Sequence, residues 1–337
     1  MDDNAVKGIL ILTIVVGHSL FLKATDLGGA FVAFLYFWHV QGFFLLLSRR
    51  GPTRSGVRWG DMLVRYFVPY LLVAGGIGAL RAAASGDPGA LAEMLLGLVM
   101  GNSSYLDAYS GGVYWFVPTF VMTLLAWQGL SRHADHPAVV LALVAIGVLS
   151  TRVPAEILKQ LPLGLGLVPY VLAMMVIHRT YARWIEGGRV PAAAVLALCL
   201  AGAGVVAGLV WAGTTVNVGF FRFGRTPLAL AAGLVFPALI FEALVLLTRA
   251  ATAPGWLRAL GRSSFGIFLF HQPILFALTM AGRSLGYDTA MGAGLSLLAI
   301  PAAVIISFLL DQGLRGFRPT KRFVFPRDRQ ELLGRPT

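Results

Sequence analysis

Three histidines, His18, His39 and His271, stand inside long apolar runs. An imidazole in such a place is either a contact between helices or a working base. With an unperturbed pKa of about 6.5, it is the side chain best suited to take a proton from a hydroxyl near neutral pH. Lys7 adds a fixed positive charge eleven positions before His18, in the run KGILILTIVVGH. At 3.6 residues per turn this spacing puts both side chains on one helix face, about 16 Å apart along the axis. One face thus carries a cation at one end and a base at the other.

The elements that must hold these residues are membrane helices. The chain has 337 residues, of which 57% are hydrophobic and 12% charged, against about 25% charged in ordinary soluble domains. Runs near the length needed to cross a hydrocarbon core predict about ten helices, near 7–23, 30–48, 62–84, 113–131, 138–151, 163–180, 191–213, 227–248, 263–283 and 290–311. The expected fold is an all-α integral membrane protein, a bundle of about ten transmembrane helices. A single transmembrane domain over 1–311 is expected to precede a basic cytoplasmic tail over 312–337. Ionisable side chains at membrane depth are costly and by default mark a functional site. The bland alternative, an interhelical hydrogen bond, contributes about 1 kcal/mol. His133, His136 and His178 fall in an inner loop or at a helix end, where solvation is expected.

Charge placement predicts the orientation. With a cytoplasmic N-terminus, all but seven of the 27 basic residues lie on the inner side; the seven are Lys23, Arg81, Arg152, Lys159, Arg222, Arg225 and Arg283. By the positive-inside rule both termini are cytoplasmic. The net charge of +12 is then a topology signal, and no nucleic-acid partner is implied. Cys199 is the single cysteine, which rules out a disulfide within the chain and a thiolate metal site; no metal is expected. The N-terminus MDDNAVK is acidic and no small-residue cleavage motif follows the first apolar run, so that run reads as a retained span. No internal repeat is evident, which counts against transporter folds built from duplicated halves.

The longest outer connection, near 84–112, holds the amphipathic or re-entrant piece ALAEMLLGLVM and then NSSYLDAYSGG. Its hydroxyl, amide and carboxylate groups suit either a solvated connection or a surface that meets a sugar or lipid headgroup. Asp107 in this stretch, and Tyr114 just beyond it, are candidate acceptor-binding residues. Trp115 suits an interfacial anchor or a stacking platform for a sugar.

The opening KGILILTIVVGHS, with Asp3, Lys7, Gly8, Gly17, His18 and Ser19, resembles the start of the membrane acyltransferase 3 family, especially its fucose 4-O-acetylase-like branch. FLYFWHVQGFFLLLS is similar to the family's Phe-His-Met-Pro-x-Phe-Phe-x-x-Ser segment, with His39, Phe43, Phe44 and Ser48 in place but Val40 and Gln41 standing for Met-Pro. RYFVPY resembles its Arg-x-x-x-Pro-Tyr, through Arg65, Pro69 and Tyr70, and YWFV its Trp-Phe motif, through Trp115 and Phe116. SSFGIFLFHQPIL is similar to its late Ser-x-x-Ile-Tyr-x-x-His-x-Pro segment, with Ser264, His271 and Pro273 matching and Phe268 where Tyr is usual. Arginine is commoner than lysine at the position of Lys7.

The resemblance implies an acyltransferase, by default an O-acetyltransferase, that moves an acyl group from cytoplasmic acetyl-CoA or another acyl-CoA to a hydroxyl of an extracytoplasmic glycan or glycolipid. His18 is then the general base. His39 or His271 orients it or donates a hydrogen bond to the thioester oxygen, and a two-step route through an acyl-histidine stays open. Lys7, Arg65 and Ser264 fall to the CoA side, although the positive-inside rule explains Arg65 equally well. The setting implied is a multi-pass protein of the bacterial inner membrane, with the lipid bilayer as a further partner and self-association left open. The alternative is a transporter or exporter of a lipid-linked sugar that uses the intramembrane histidines as a proton relay.

Overall fold

The computed structural model describes residues 2–49, 59–108, 111–286 and 289–333, of which 289–293 and 296 are described by backbone alone. Helix, 3-10 turns included, accounts for 81% of the described residues, and no strand forms among them beyond one isolated bridge between Asn217 and Arg222. The order is α1 (Asp3–Gly17), α2 (Leu20–Lys23), α3 (Asp26–Leu35), α4 (Gln41–Arg49), α5 (Trp59–Ser85), α6 (Ala90–Met100) and α7 (Ser103–Leu106). A 3-10 turn (Gly112–Trp115) leads into α8 (Phe116–Leu130), followed by α9 (Pro137–Ser150), α10 (Ala155–Lys159), a second 3-10 stretch (Pro162–Leu167) and α11 (Val168–Glu186). After α12 (Ala192–Trp211) and a third 3-10 turn (Val218–Phe220) come α13 (Pro227–Ala250), α14 (Gly255–Arg262), α15 (Ser264–Ser284), α16 (Thr289–Gly316), α17 (Arg318–Val324) and α18 (Arg329–Leu332).

Among the described residues seven helices are long and apolar enough to cross a membrane, so the protein is a multi-pass membrane protein. They correspond to seven of the ten expected segments. The other three are shorter, for identifiable reasons. The first predicted span stops at Gly17, where His18 closes α1, and Ser19 starts α2 by accepting the Leu22 amide on its hydroxyl at 3.3 Å. The second is broken over residues 36–40. There the Gln41 side-chain amide donates to the Tyr36 carbonyl at 3.0 Å and the His39 ring to the Leu35 carbonyl at 2.7 Å. Side-chain donors thus supply hydrogen bonds at a break that an apolar pattern alone does not reveal. The fifth, α9, has 14 residues.

Two compact units are resolved, and His18, His39 and His271 all fall in the first. It comprises Met1–Arg49, Ile177–Asn217 and Arg222–Asp311. Its centre is α1, whose Ala5, Val6, Leu10, Ile11, Ile14 and Val15 are fully buried against α3, α4, α13, α14 and α15. The crossing of α14 over the first turns of α1 is a close backbone approach: a Cβ at Gly8 would strike the Leu257 carbonyl, and one at Gly261 the Asn4 carbonyl. Small residues permit such contact between helices in a bilayer. An ion pair between Asp2 and Arg258 closes the same end. Because α14 leads directly into α15, α1 and α15 begin together at this end. They meet again at His18 and His271.

The second unit comprises Arg50–Val176, Val218–Phe221 and Gln312–Thr337. Here α5 packs on α6 and α8, and the Tyr70 hydroxyl donates to the Leu98 carbonyl at 3.1 Å. The amphipathic piece read from the sequence forms α6. The described part of the basic tail forms α17 and α18, which pack on α5, with the Arg329 amide bonded to the Asp61 carboxylate at 3.1 Å.

Candidate functional site

Gly17, His18 and Ser19 form a corner between two helices. His18 caps α1 with φ −100° and ψ 0°, and its backbone amide bonds the Ile14 carbonyl at 3.1 Å. Its ring returns to the same carbonyl, Nδ1 to Ile14 oxygen at 2.7 Å. His39 and His271 repeat this arrangement: His39 Nδ1 lies 2.7 Å from the Leu35 carbonyl, and His271 Nδ1 lies 2.7 Å from that of Phe268 and 3.2 Å from that of Ile267. A carbonyl oxygen only accepts, so each of the three Nδ1 atoms carries the proton. In the neutral ring each Nε2 is therefore a bare lone pair.

The three rings converge. His18 lies 5.2 Å from His271 and 6.0 Å from His39, centroid to centroid. His271 Nε2 is 3.4 Å from His18 Nδ1, so the Nδ1 proton of His18 faces a carbonyl on one side and a lone pair on the other. His39 Nε2 is buried without a hydrogen-bond partner. It points at the corner through the gap left by Gly17, where a Cβ would stand 3.4 Å away. His39 and His271 are 2% and 0% exposed, whereas His18 is half-buried. Only His18 can meet a substrate without a rearrangement of the core.

Tyr36 and Lys23 complete the rim. The Tyr36 hydroxyl donates to the Gly17 carbonyl at 3.2 Å, and its ring lies 5.0 Å from His39 and 6.3 Å from His18. Lys23 Nζ stands 5.3 Å above that ring. In the sequence Lys23 is marked only as an outer-loop charge, and no local pattern singles out Tyr36. Among the described residues no group of His, Cys, Asp and Glu is arranged to hold a metal ion.

Comparison with known proteins decides the lineage. A family profile described as an acyltransferase domain, that of acyltransferase 3, matches residues 4–312. The chain belongs to the acyltransferase 3 family. Neither curated proteins nor solved structures give a match.

In this acyltransferase 3 protein the remaining candidate residues are distributed as follows. Lys7, on α1, and Ser264, the first residue of α15, belong to the unit that holds the three imidazoles. They precede His18 and His271 by about 16 Å and 10 Å of helix. Arg65, Asp107, Tyr114 and Trp115 belong to the second unit. Arg65 is exposed and lies over the Tyr66 ring. The Asp107 carboxylate accepts the Gly112 amide at 3.2 Å and so fixes the turn that carries Tyr114 and Trp115. Both aromatic side chains are buried, and the Trp115 indole packs over Gly219.

His178 departs from expectation. It is fully buried, not solvated, because its ring joins an ionic network inside the first unit. Nδ1 lies 2.6 Å from the Ser48 hydroxyl and Nε2 2.8 Å from Glu242. Arg49 reaches both Glu242 oxygens at 2.8 Å and Glu186 at 2.8 Å. The network ties α4 to α11 and α13 at buried charges that satisfy one another. Glu242 within the eighth apolar run was the available signal for it. A single carboxylate does not interrupt a hydrophobic pattern, so the run still read as an ordinary span.

Proposed function

We propose that this protein is an O-acyltransferase that takes an acyl group, acetyl in the first instance, from cytoplasmic acyl-CoA and passes it to a hydroxyl of an extracytoplasmic glycan or glycolipid. The observation that carries this reading is the state of His18: half-buried, its Nδ1 proton held by Ile14 and facing His271, its Nε2 a bare lone pair. That is the arrangement of a general base. A hydroxyl is a weak nucleophile until a base removes its proton as the new bond forms.

His18 Nε2 accepts the proton of the acceptor hydroxyl as that oxygen attacks the thioester carbonyl, then returns it to the departing sulfur. While His18 is an imidazolium, the His271 Nε2 lone pair faces its Nδ1–H and stabilises the charge. His271 is accordingly a positioning residue. His39 cannot donate to the thioester oxygen as a neutral ring, since its only N–H is held by Leu35. Its Nε2 is instead an acceptor facing the corner of the site.

A thioester delivered from the end where α1 and α15 begin would pass Lys7 and Ser264 before meeting His18. Lys7 suits the phosphates of CoA at that end. The reading places both termini in the cytoplasm and the protein in a bacterial inner membrane, in line with the distribution of Lys and Arg along the sequence. Asp107, Tyr114 and Trp115 remain the acceptor-side candidates; the burial of the two aromatic side chains and the bond from the Gly112 amide to Asp107 favour a role in shaping the loop.

The test is turnover by purified protein in detergent, supplied with acetyl-CoA and a panel of envelope sugars and glycolipids, with free CoA followed by a thiol reagent. Acceptor-dependent release of CoA supports the reading. Binding of acetyl-CoA without release across the whole panel overturns it.

A further inference from the structure

An acyl transfer that uses His18 as base needs something more than a base. When the acceptor oxygen bonds to the thioester carbon, the carbonyl π pair moves onto its oxygen. The oxyanion so formed needs a donor or a cation within reach. None of the three imidazoles supplies one. Each Nδ1–H is spent on a helix carbonyl, and each Nε2 is an acceptor. The Tyr36 hydroxyl is likewise engaged, at the Gly17 carbonyl.

We propose that Lys23 is a catalytic residue of this site, its ammonium holding the oxyanion of the tetrahedral intermediate formed beside His18. The proposal rests on the acyl-transfer reading above. Lys23 ends α2, the short helix that starts two residues after His18, so the corner that places the base also places the cation. Its ammonium sits over the Tyr36 ring, which is itself pinned to the corner. The same ring lies 6.3 Å from His18 and 5.0 Å from His39. Lys23 pairs with no carboxylate among the described residues, although it is partly buried. A partly buried ammonium seated on an aromatic face retains N–H donors for a developing negative charge.

The step balances without any further reactant. The carbon–oxygen bond forms, the hydroxyl proton goes to His18 Nε2, and Lys23 Nζ donates to the oxyanion. The carbonyl then reforms, the carbon–sulfur bond breaks with its electron pair on sulfur, and His18 returns the proton to give CoA thiol and the ester. The other unpaired donor in this segment is the Trp38 indole N–H. No ring contact joins Trp38 to the three imidazoles among the described residues.

The experiment measures acetyl-CoA affinity by calorimetry and kcat by CoA release on wild type, Lys23→Met, Lys23→Arg and Trp38→Phe, each checked for thermal unfolding in detergent. Lys23→Met is expected to lower kcat about 10²- to 10³-fold with donor affinity within about twofold of wild type, Lys23→Arg to recover part of the loss, and Trp38→Phe to stay near wild type. Should Lys23→Met not accumulate, Lys23→Gln removes the charge with a polar side chain. Unchanged kcat in the neutral variants overturns the proposal, and so does a loss confined to donor affinity, which would make Lys23 a phosphate contact. A loss seen only in Trp38→Phe moves the role to the indole and also overturns it. A wild type that transfers nothing to any acceptor fails differently, because it removes the acyl-transfer reading itself.

Discussion

His271 Nε2 lies 3.4 Å from His18 Nδ1, across 253 positions of sequence, with the two rings inclined at 60°. One imidazole thus offers its lone pair to the proton of another, while the second ring keeps its own lone pair toward the open side. The pair works as a base and its support, with a neutral ring in the place where a carboxylate often stands.

Replacing His18 by Ala should lower transfer by at least about 10²- to 10⁴-fold, the usual contribution of a positioned base. The unfolding temperature in detergent should barely move, since His18 is half-buried at a helix end. Full CoA release from a folded His18→Ala protein would remove His18 from the mechanism.

His271→Ala should reduce kcat by about 10- to 100-fold, from the loss of a charge-assisted hydrogen bond of about 1.5–3 kcal/mol. His271→Gln, which can still present an acceptor, should recover part of it. Equal rates for the two variants would show that His271 contributes only packing.

Gly17→Ala tests the close approach of His39. The added Cβ would stand in van der Waals contact with His39 Nε2 at 3.4 Å and with the Tyr36 ring at 3.9 Å, filling the gap through which the His39 lone pair faces the corner. The expected outcome is a several-fold fall in kcat with little change in thermal stability. A large loss of stability with kcat preserved would assign the glycine to helix packing alone.

The ionic network around Glu242 should govern stability. Glu242→Gln removes the carboxylate from Arg49 and His178 in a buried site, a change that typically costs about 3–5 kcal/mol. The double variant with Arg49→Met should cost less than the two single changes added together, because it leaves fewer uncompensated charges. Strict additivity in denaturation experiments would show that the two side chains do not depend on one another.

Acid should loosen the α1–α14 crossing through Asp2. Partial burial pulls its carboxyl upward, but hydrogen bonds from Arg258 and the Ala5 amide, with the Arg258 charge, outweigh this and hold it below the ordinary aspartate value. A depressed pKa in the folded state stabilises above the unfolded value of about 3.9. That stabilisation disappears as pH falls through the folded value. Between pH 6 and pH 3 the thermal midpoint of wild type should therefore fall more steeply than that of Asp2→Asn. Parallel curves would exclude the pair from the acid response.

The sequence by itself determined that this is a multi-pass helical membrane protein and where its three motif histidines stand along the helices. Composition and run length are local properties, and the bilayer translates them directly into spans. It also marked Gly-His-Ser as a unit, which the corner explains: Gly17 admits His39, His18 caps α1 and Ser19 starts α2. Tertiary structure decided that His18, His39 and His271 converge and that each shows its Nε2 to the site. It likewise decided that His178 is buried in an ionic network and that Lys23 stands over Tyr36. Each of these depends on how helices far apart in the chain cross, on small gaps such as the one at Gly17, and on which carbonyls a side chain finds there. A helical period reports which face a residue shares with its neighbours in sequence, whereas the partner across that face is chosen by packing.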